Sequence, residues 1–263
     1  MNELAERKTG IAGFLAQEAV KANVESVVGA KDAQRFISSV VSAVQTNPDL
    51  AECTNASILS AALVGHSLNL PQSPQIGMFY LVPYENKSKG IKEATFQLSY
   101  RGMLQLAMRS EQYKSINVTD IREGELLSYN PIEDTFDFSP ETDITKRIDL
   151  PVIGYYAHFE MINGFKKGIY WSKEQIDAHA KKYSAAYRNG WKGCLWKTDF
   201  DAMAKKTMLR QLISKWGIMT VAMERGYILD QAVVREDGSP DYIDNVPDPA
   251  TDIFEDGSND NGE

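Results

Sequence analysis

The spacing of apolar residues changes along this chain, and the order of those changes restricts the folds open to it. Between Asp32 and Val44 apolar groups recur at Ala33, Phe36, Ile37, Val40, Val41 and Val44, the spacing of one helix face, and Pro48 stops the segment. Asn55 reads as the N-cap of a second helix through Ile58, Leu59, Ala62, Leu63 and Leu68, ended by the Leu70-Pro71 step. From Gly77 the period falls to two. Residues 78–83 and 94–98 read as paired strands around a polar loop at 85–93. A helix is expected over 100–110, with Met103, Leu104, Leu106, Ala107 and Met108 on its apolar side. Further strands are expected at 113–122, 135–138, 152–161 and 166–171, the last two joined at Asn163-Gly164 by a type I′ turn. Ser172 then opens Ser-Lys-Glu-Gln, a capping box with Gln175 at the third helical position. Strands followed by helices without regular alternation imply an α+β fold, an antiparallel β-sheet packed with helices behind an N-terminal helical segment. No internal repeat is visible.

Charge is distributed as unevenly as hydrophobicity. The 54 residues from Gly164 to Gly217 carry twelve basic side chains against four acidic ones, a local +8 in a chain of net charge -8. Phe165, Tyr170, Trp171, Tyr183, Tyr187, Trp191, Trp196, Phe200 and Trp216 are interleaved with them, so one stretch offers cations for phosphates and flat rings for bases. From Glu224 onward twelve acids face two bases, so the low isoelectric point describes the C-terminal end. Residues 237–263 have few sizeable apolar groups and read as a disordered acidic tail, either a solubilising segment or one that competes for the basic surface.

Length allows one large domain or two small ones. Three segments are expected: 1–54 as a helical oligomerisation segment, 55–223 as a DNA-binding core and 224–263 as a flexible acidic tail. Val24, Val27 and Val28 are candidates for an inter-protomer contact, with a core role the equal alternative. No run of 18 apolar residues occurs and MNELAERKTG is charged where a signal peptide is apolar, so a soluble, cytoplasmic protein with no membrane partner is expected. Cys53 and Cys194 form no CxxC pair and read as buried thiols.

Residues 200–216 form the segment on which function is expected to turn. At 100° per residue Met208, Leu209, Leu212, Ile213 and Trp216 share one face, with Lys206 and Arg210 side by side on its flank, where they would grip neighbouring phosphates. Lys205 projects into the apolar stripe, so it either snorkels outward or that end of the stripe faces a charged groove.

Met203-Ala204-Lys205-Lys206-Thr207-Met208-Leu209-Arg210-Gln211-Leu212 resembles the signature of the phage RecT family of single-strand annealing recombinases. A second block agrees with it, Gln97-Leu98-Ser99-Tyr100-Arg101-Gly102-Met103, preceded by the hairpin around 79–84, and the lead-in at 196–200 fits as well. The match runs from about Asn55 to Gly217. What the resemblance implies is a non-enzymatic protein, without cofactor, that coats single-stranded DNA as a homo-oligomeric ring or helical filament. It would pair that strand with its complement without ATP, in a bacterial host cell. An exonuclease and a host single-strand binding protein are the further partners it implies.

The expected DNA contacts are Lys206, Arg210 and Arg101 first, with Gln97 and Tyr100 beside them; Tyr100 would pack on a sugar or base, or else in the core. Lys205 belongs to the same set, and Thr207 offers its hydroxyl to a phosphate or merely completes a helical turn. Lys114 and Arg122 fall on one face of a strand and would extend the groove, as would Lys182, Lys197 and Lys215.

Catalysis is poorly served. There is no GxxxxGK[ST] phosphate cradle, and His66, His158 and His179 are scattered with no metal-ligand spacing. Asp199 and Asp201 beside Lys205 would suit a two-metal nuclease, but acids at a helix start more simply oppose its positive end. The competing class is a phage structural or packaging protein, which would oligomerise without DNA.

Overall fold

The computed structural model describes residues 10–73, 75–86, 89–191, 193–235 and 237–242. They form two compact units, residues 10–106 with 221–242, and residues 107–220. The architecture is α+β with antiparallel sheets, as the apolar spacing predicts.

The first unit begins with helices α1 (Gly10–Leu15), α2 (Glu18–Val28) and α3 (Ala30–Thr46). Asn47 ends α3, and Pro48 starts the 3-10 turn Pro48–Glu52 at a position where its missing N–H costs nothing. Helix α4 (Asn55–Ser67) follows. Thr54 and not Asn55 is its N-cap, because Asn55 already has helical geometry and is 6% exposed. Strands β1 (Phe79–Asn86) and β2 (Ile91–Leu98) then form an antiparallel hairpin. Both run further into the expected loop than their apolar alternation indicates, ending at the Asn86–Ile91 pair, and the Asn86 side chain donates to the Glu93 carboxylate at 2.8 Å. Helix α5 (Tyr100–Arg109) buries Met103, Leu106 and Ala107, whereas Met108, expected on that side, is 64% exposed.

The second unit is built on a three-stranded sheet. Its elements are β3 (Tyr113–Arg122), β4 (Leu126–Asn130), β5 (Thr135–Phe138), α6 (Ile144–Asp149), β6 (Val152–Met161) and β7 (Lys166–Ser172). Helices α7 (Lys173–Tyr183), α8 (Ala185–Arg188), α9 (Leu195–Thr198) and α10 (Phe200–Trp216) complete it. The strand order is β3-β6-β7, all antiparallel. Tyr155, Ala157, Phe159 and Met161 alternate inward and are buried on the face where α7 and α10 pack. Tyr156 and His158 point to the other face, where Phe136 and Phe138 of the β4–β5 hairpin lie over Tyr156 at ring distances of 5.1 and 4.8 Å. The β6–β7 turn falls at Asn163-Gly164, but only Gly164 has a positive φ, so it is not the expected type I′ turn; Asn163 instead accepts a bond from the Phe165 N–H. The Ser172–Gln175 capping box is formed in both directions.

The chain returns to the first unit as α11 (Val221–Leu229), β8 (Val233–Val234) and β9 (Pro240–Asp241). Residues 237–242, expected to start the disordered tail, are therefore folded. Arg235 explains this, since its guanidinium pairs with Glu93 at 2.6 Å and with Asp241. The rest of the expected tail, residues 243–263, lies outside the described residues. Val24 is wholly buried, which resolves its expected role in favour of the core, while Val27 is 54% exposed. Both cysteines are free and buried, and burial pushes the Cys53 thiol up to about 11.

Candidate nucleic-acid interface

The first unit presents a small cationic and aromatic surface where β2 ends and α5 begins. Ser99 caps that junction, accepting a bond from the Gly102 N–H at 3.1 Å and donating to the Met78 carbonyl at 3.0 Å. Gly102 is required by the same closeness, for a Cβ there would lie 2.2 Å from the Met78 oxygen. The turn is therefore fixed, and it places Tyr100 and Arg101 at the first residues of the helix. Arg101 is exposed; its Nε donates to the Tyr100 hydroxyl at 3.4 Å, which raises the guanidinium pKa further, and it has no carboxylate partner among the described residues. Gln97 is half-buried and lies directly across the hairpin from Tyr80, which is 42% exposed. Tyr80 was not among the expected contacts because strand alternation alone does not separate a solvent-facing ring from a core one. Gln97, Tyr80, Tyr100 and Arg101 together offer a guanidinium, an amide and two rings.

The second unit holds the remaining expected residues, and they fall into three groups. Lys206, Thr207 and Arg210 are buried, at 5%, 6% and 8% exposure. Lys206 and Arg210 were expected on an accessible flank that grips phosphates; instead Lys206 to Ile213 are buried without interruption, so α10 is enclosed on every side across two turns. Trp216, expected on its core face, is 46% exposed, with the Lys167 ammonium 4.3 Å from its ring centroid.

Lys205 and Arg122 form the second group and belong to an ion cluster. The Asp120 carboxylate lies 3.1 Å from Lys205 Nζ, 2.7 Å from Arg122 Nε and 3.4 Å from Arg147 Nη1. Burial pushes the Asp120 carboxyl up, but the hydrogen bonds from Arg122 and Lys205 outweigh it and hold the group at about 2. Arg147 also grips both oxygens of Glu125, at 2.6 and 3.0 Å, and Arg122 donates to the Ile148 and Leu150 carbonyls. Lys205 thus does not snorkel outward: its end of the stripe faces this charged cluster, where it neutralises a buried acid. Register shifts at both ends of β3 also remove the simple parity that would put Lys114 and Arg122 on one face.

Lys114, Lys182, Lys197 and Lys215 are the exposed group. Lys114 pairs with Glu160 at 2.7 Å, Lys182 lies 5.0 Å from the Tyr183 ring, and Lys197 donates to the Gly190 carbonyl at 2.8 Å. The acids that would have served a nuclease are engaged elsewhere. Asp199 caps α10 through the Ala202 N–H, and Asp201 accepts a bond from the buried Tyr155 hydroxyl. Among the described residues no cluster of three or more His, Cys, Asp or Glu side chains could hold a metal, and no helix is long and apolar enough to cross a membrane.

Residues 34–246 match the family model described as the RecT family. The chain is 40% identical over 232 residues to the "Uncharacterized protein YqaK" of Bacillus subtilis (strain 168), covering 88% of this chain and 74% of that one. It is 27% identical over 234 residues to "Protein RecT" of Escherichia coli (strain K12), covering 86% and 82% respectively.

Proposed function

The chain belongs to the RecT family of single-strand annealing recombination proteins, and from that premise we propose that it coats single-stranded DNA as an oligomer and pairs it with a complementary strand without ATP. The observation that carries this reading is the β2–α5 turn, where Arg101 stands exposed and unpaired by any described carboxylate beside Tyr80, Tyr100 and Gln97. A guanidinium next to rings suits a flexible strand, whose phosphates and base faces are both accessible. Preformed duplex offers only the phosphates.

Annealing makes and breaks no covalent bond. The protein has to neutralise the backbones, leave Watson-Crick edges free and hold both strands until enough pairs form, and backbone-directed contacts do this for any sequence. Copies bound side by side present a continuous surface, so each short register match is tested repeatedly before the strands part. In this reading Arg101, Gln97 and Tyr100 contact the strand directly, with Tyr80 added, and exposed Lys114, Lys182, Lys197 and Lys215 supply charge. Lys206, Thr207 and Arg210, buried on α10, support the second unit's surface from within, and Lys205 and Arg122 do the same for that unit through Asp120. The protein acts without a cofactor, as a binding protein and not an enzyme, with an exonuclease as the source of single strands and a host single-strand binding protein as the competitor on them. Fluorescence anisotropy with labelled oligonucleotides tests the binding half of the claim: single strands of mixed sequence and homopolymer should bind alike, and both more tightly than duplex. Tighter binding of preformed duplex would contradict it.

A further inference from the structure

The first unit has a cavity of about 480 Å³ between α3 and the turn that follows α4, a volume in the range of small-ligand sites. The sequence builds it locally. Asn69, in the left-handed region at φ 53°, turns the chain after α4; its N–H donates to the His66 carbonyl and the Leu70 N–H to the Gly65 carbonyl. Leu70, Pro71 and Gln72 thereby line the cavity together with Asp32, Arg35, Phe36 and Ser39, whose spacing puts them on one side of α3. Phe36 and Leu70 are buried and form an apolar wall, and half-buried His66 meets the Phe36 ring edge-on at 5.6 Å.

The two ends of the cavity differ in chemistry. Inside, the Ser39 hydroxyl donates to Gln72 Oε1 at 3.3 Å, while Gln72 Nε2 is shut off from solvent with no hydrogen-bond partner among the described residues. Turning the amide over only moves the deficit to its oxygen, and a buried amide group left without a partner is costly. At the mouth, Arg35 is exposed and pairs with Asp32 at 3.1 Å. Lys31, one turn before Arg35, is exposed with no carboxylate partner among the described residues. Gly29 ends the helix without a capping side chain, so the first N–H groups of α3 add to a mouth where two cations face one acid.

A matching ligand has an edge that bonds an amide in either orientation, a flat ring to lie beside His66 and Pro71, and an anion one helical turn away. Arg35 and Ser39 are four residues apart, about 6 Å along the axis at ~1.5 Å per residue, the reach of one sugar between a base and its phosphate. We propose that this cavity takes one nucleotide, its base edge on Gln72 and its phosphate on Arg35 and Lys31. Asp32 opposes the phosphate, and Lys31 offsets it. Because the amide offers a donor or an acceptor as it turns, the site accepts any base. A second cavity of about 110 Å³ shares Gln72 as a wall and is lined by Thr46, Asn47, Ser73 and Tyr80. A strand crossing Tyr80 therefore has a path along α3, so the nucleotide belongs to a bound strand or is a free one. The chemistry is the same; the strand source rests on the annealing reading and the free source does not.

Photocross-linking of the full chain tests it with two probes, 5-iodo-2′-deoxyuridine 5′-monophosphate and a short single-stranded oligonucleotide carrying 5-iodouracil, the labelled peptides being located by mass spectrometry. Label should fall within residues 35–39 or 66–72, and Arg35→Ala and Gln72→Leu should each lower it at least about fivefold, the weight of one hydrogen bond. Circular dichroism verifies folding, and the exposed Arg35 gives a variant that keeps the test alive if Gln72→Leu does not fold. Label from the monophosphate alone identifies a free nucleotide as the ligand, and label from the oligonucleotide alone a nucleotide of the strand; either supports the site. No label there from either probe, or label that the folded variants leave undiminished, would overturn it. Label confined to Tyr80 and Tyr100 would overturn the cavity and leave the annealing reading standing. Cavity label from the monophosphate, in a protein that binds no oligonucleotide, would do the reverse.

Discussion

Asp120 is a carboxylate shared by three cations, and its environment makes a direct prediction about acid stability. Its folded pKa of about 2 lies below the ordinary 3.8, so its contribution is fully present above that value and disappears as pH falls toward 2. Asp120→Asn leaves Arg122, Lys205 and Arg147 short of their counter-charge and should destabilise the protein by about 2 kcal/mol at neutral pH. In urea denaturation repeated from pH 7 down to pH 3, the gap between wild type and Asp120→Asn should shrink below pH 4; a gap that is constant with pH would show the carboxylate is not the source. Arg101 is the opposite case, exposed and unpaired by any described carboxylate. Arg101→Ala should weaken single-strand binding and lower the salt slope by about one, with the unfolding midpoint unchanged. The exposure of Arg101 was legible, because its motif block places it at the start of a helix. The burial of Lys206 and Arg210 was not legible, since a helical projection assigns one apolar face and does not register that every side of α10 is covered.

At the scale of elements, the β2–α5 turn and the β4–β5 hairpin behave differently. The turn is held by Ser99 and by the closeness of Gly102 to the Met78 carbonyl. Gly102→Ala should cost about 2 kcal/mol through that backbone clash and weaken strand binding as Tyr100 and Arg101 shift. Tight binding by a destabilised Gly102→Ala protein would separate the turn from the interface. Helices α3, α5 and α10 and the four expected strands of the second unit were legible from periodicity, with ends moved by a residue or two. Strand β4 and helix α6 were missed because each is short and leaves its apolar groups in solvent, Leu127 on one and Ile144 and Ile148 on the other. The signal that marked α6 was Asp143, which caps it by accepting from the Thr145 N–H.

For the whole molecule, the segment-wise charge reading matters more than the net charge of -8. The basic stretch does not form one open patch: it divides into lysines in solvent, a buried pair on α10 and a lysine spent on Asp120. Fold class and family were legible from spacing and three motif blocks, whereas the return of residues 221–242 to the first unit was not, because Arg235 secures it through partners as distant in sequence as Glu93. The central claim is strand annealing, and its most direct test is the pairing of two complementary fluorescent oligonucleotides added one after the other without nucleotide, across a salt series. Wild type should accelerate pairing, Arg101→Ala should accelerate it less while remaining folded, and the advantage should fall as salt rises. No acceleration by folded wild type at any salt concentration would contradict the account.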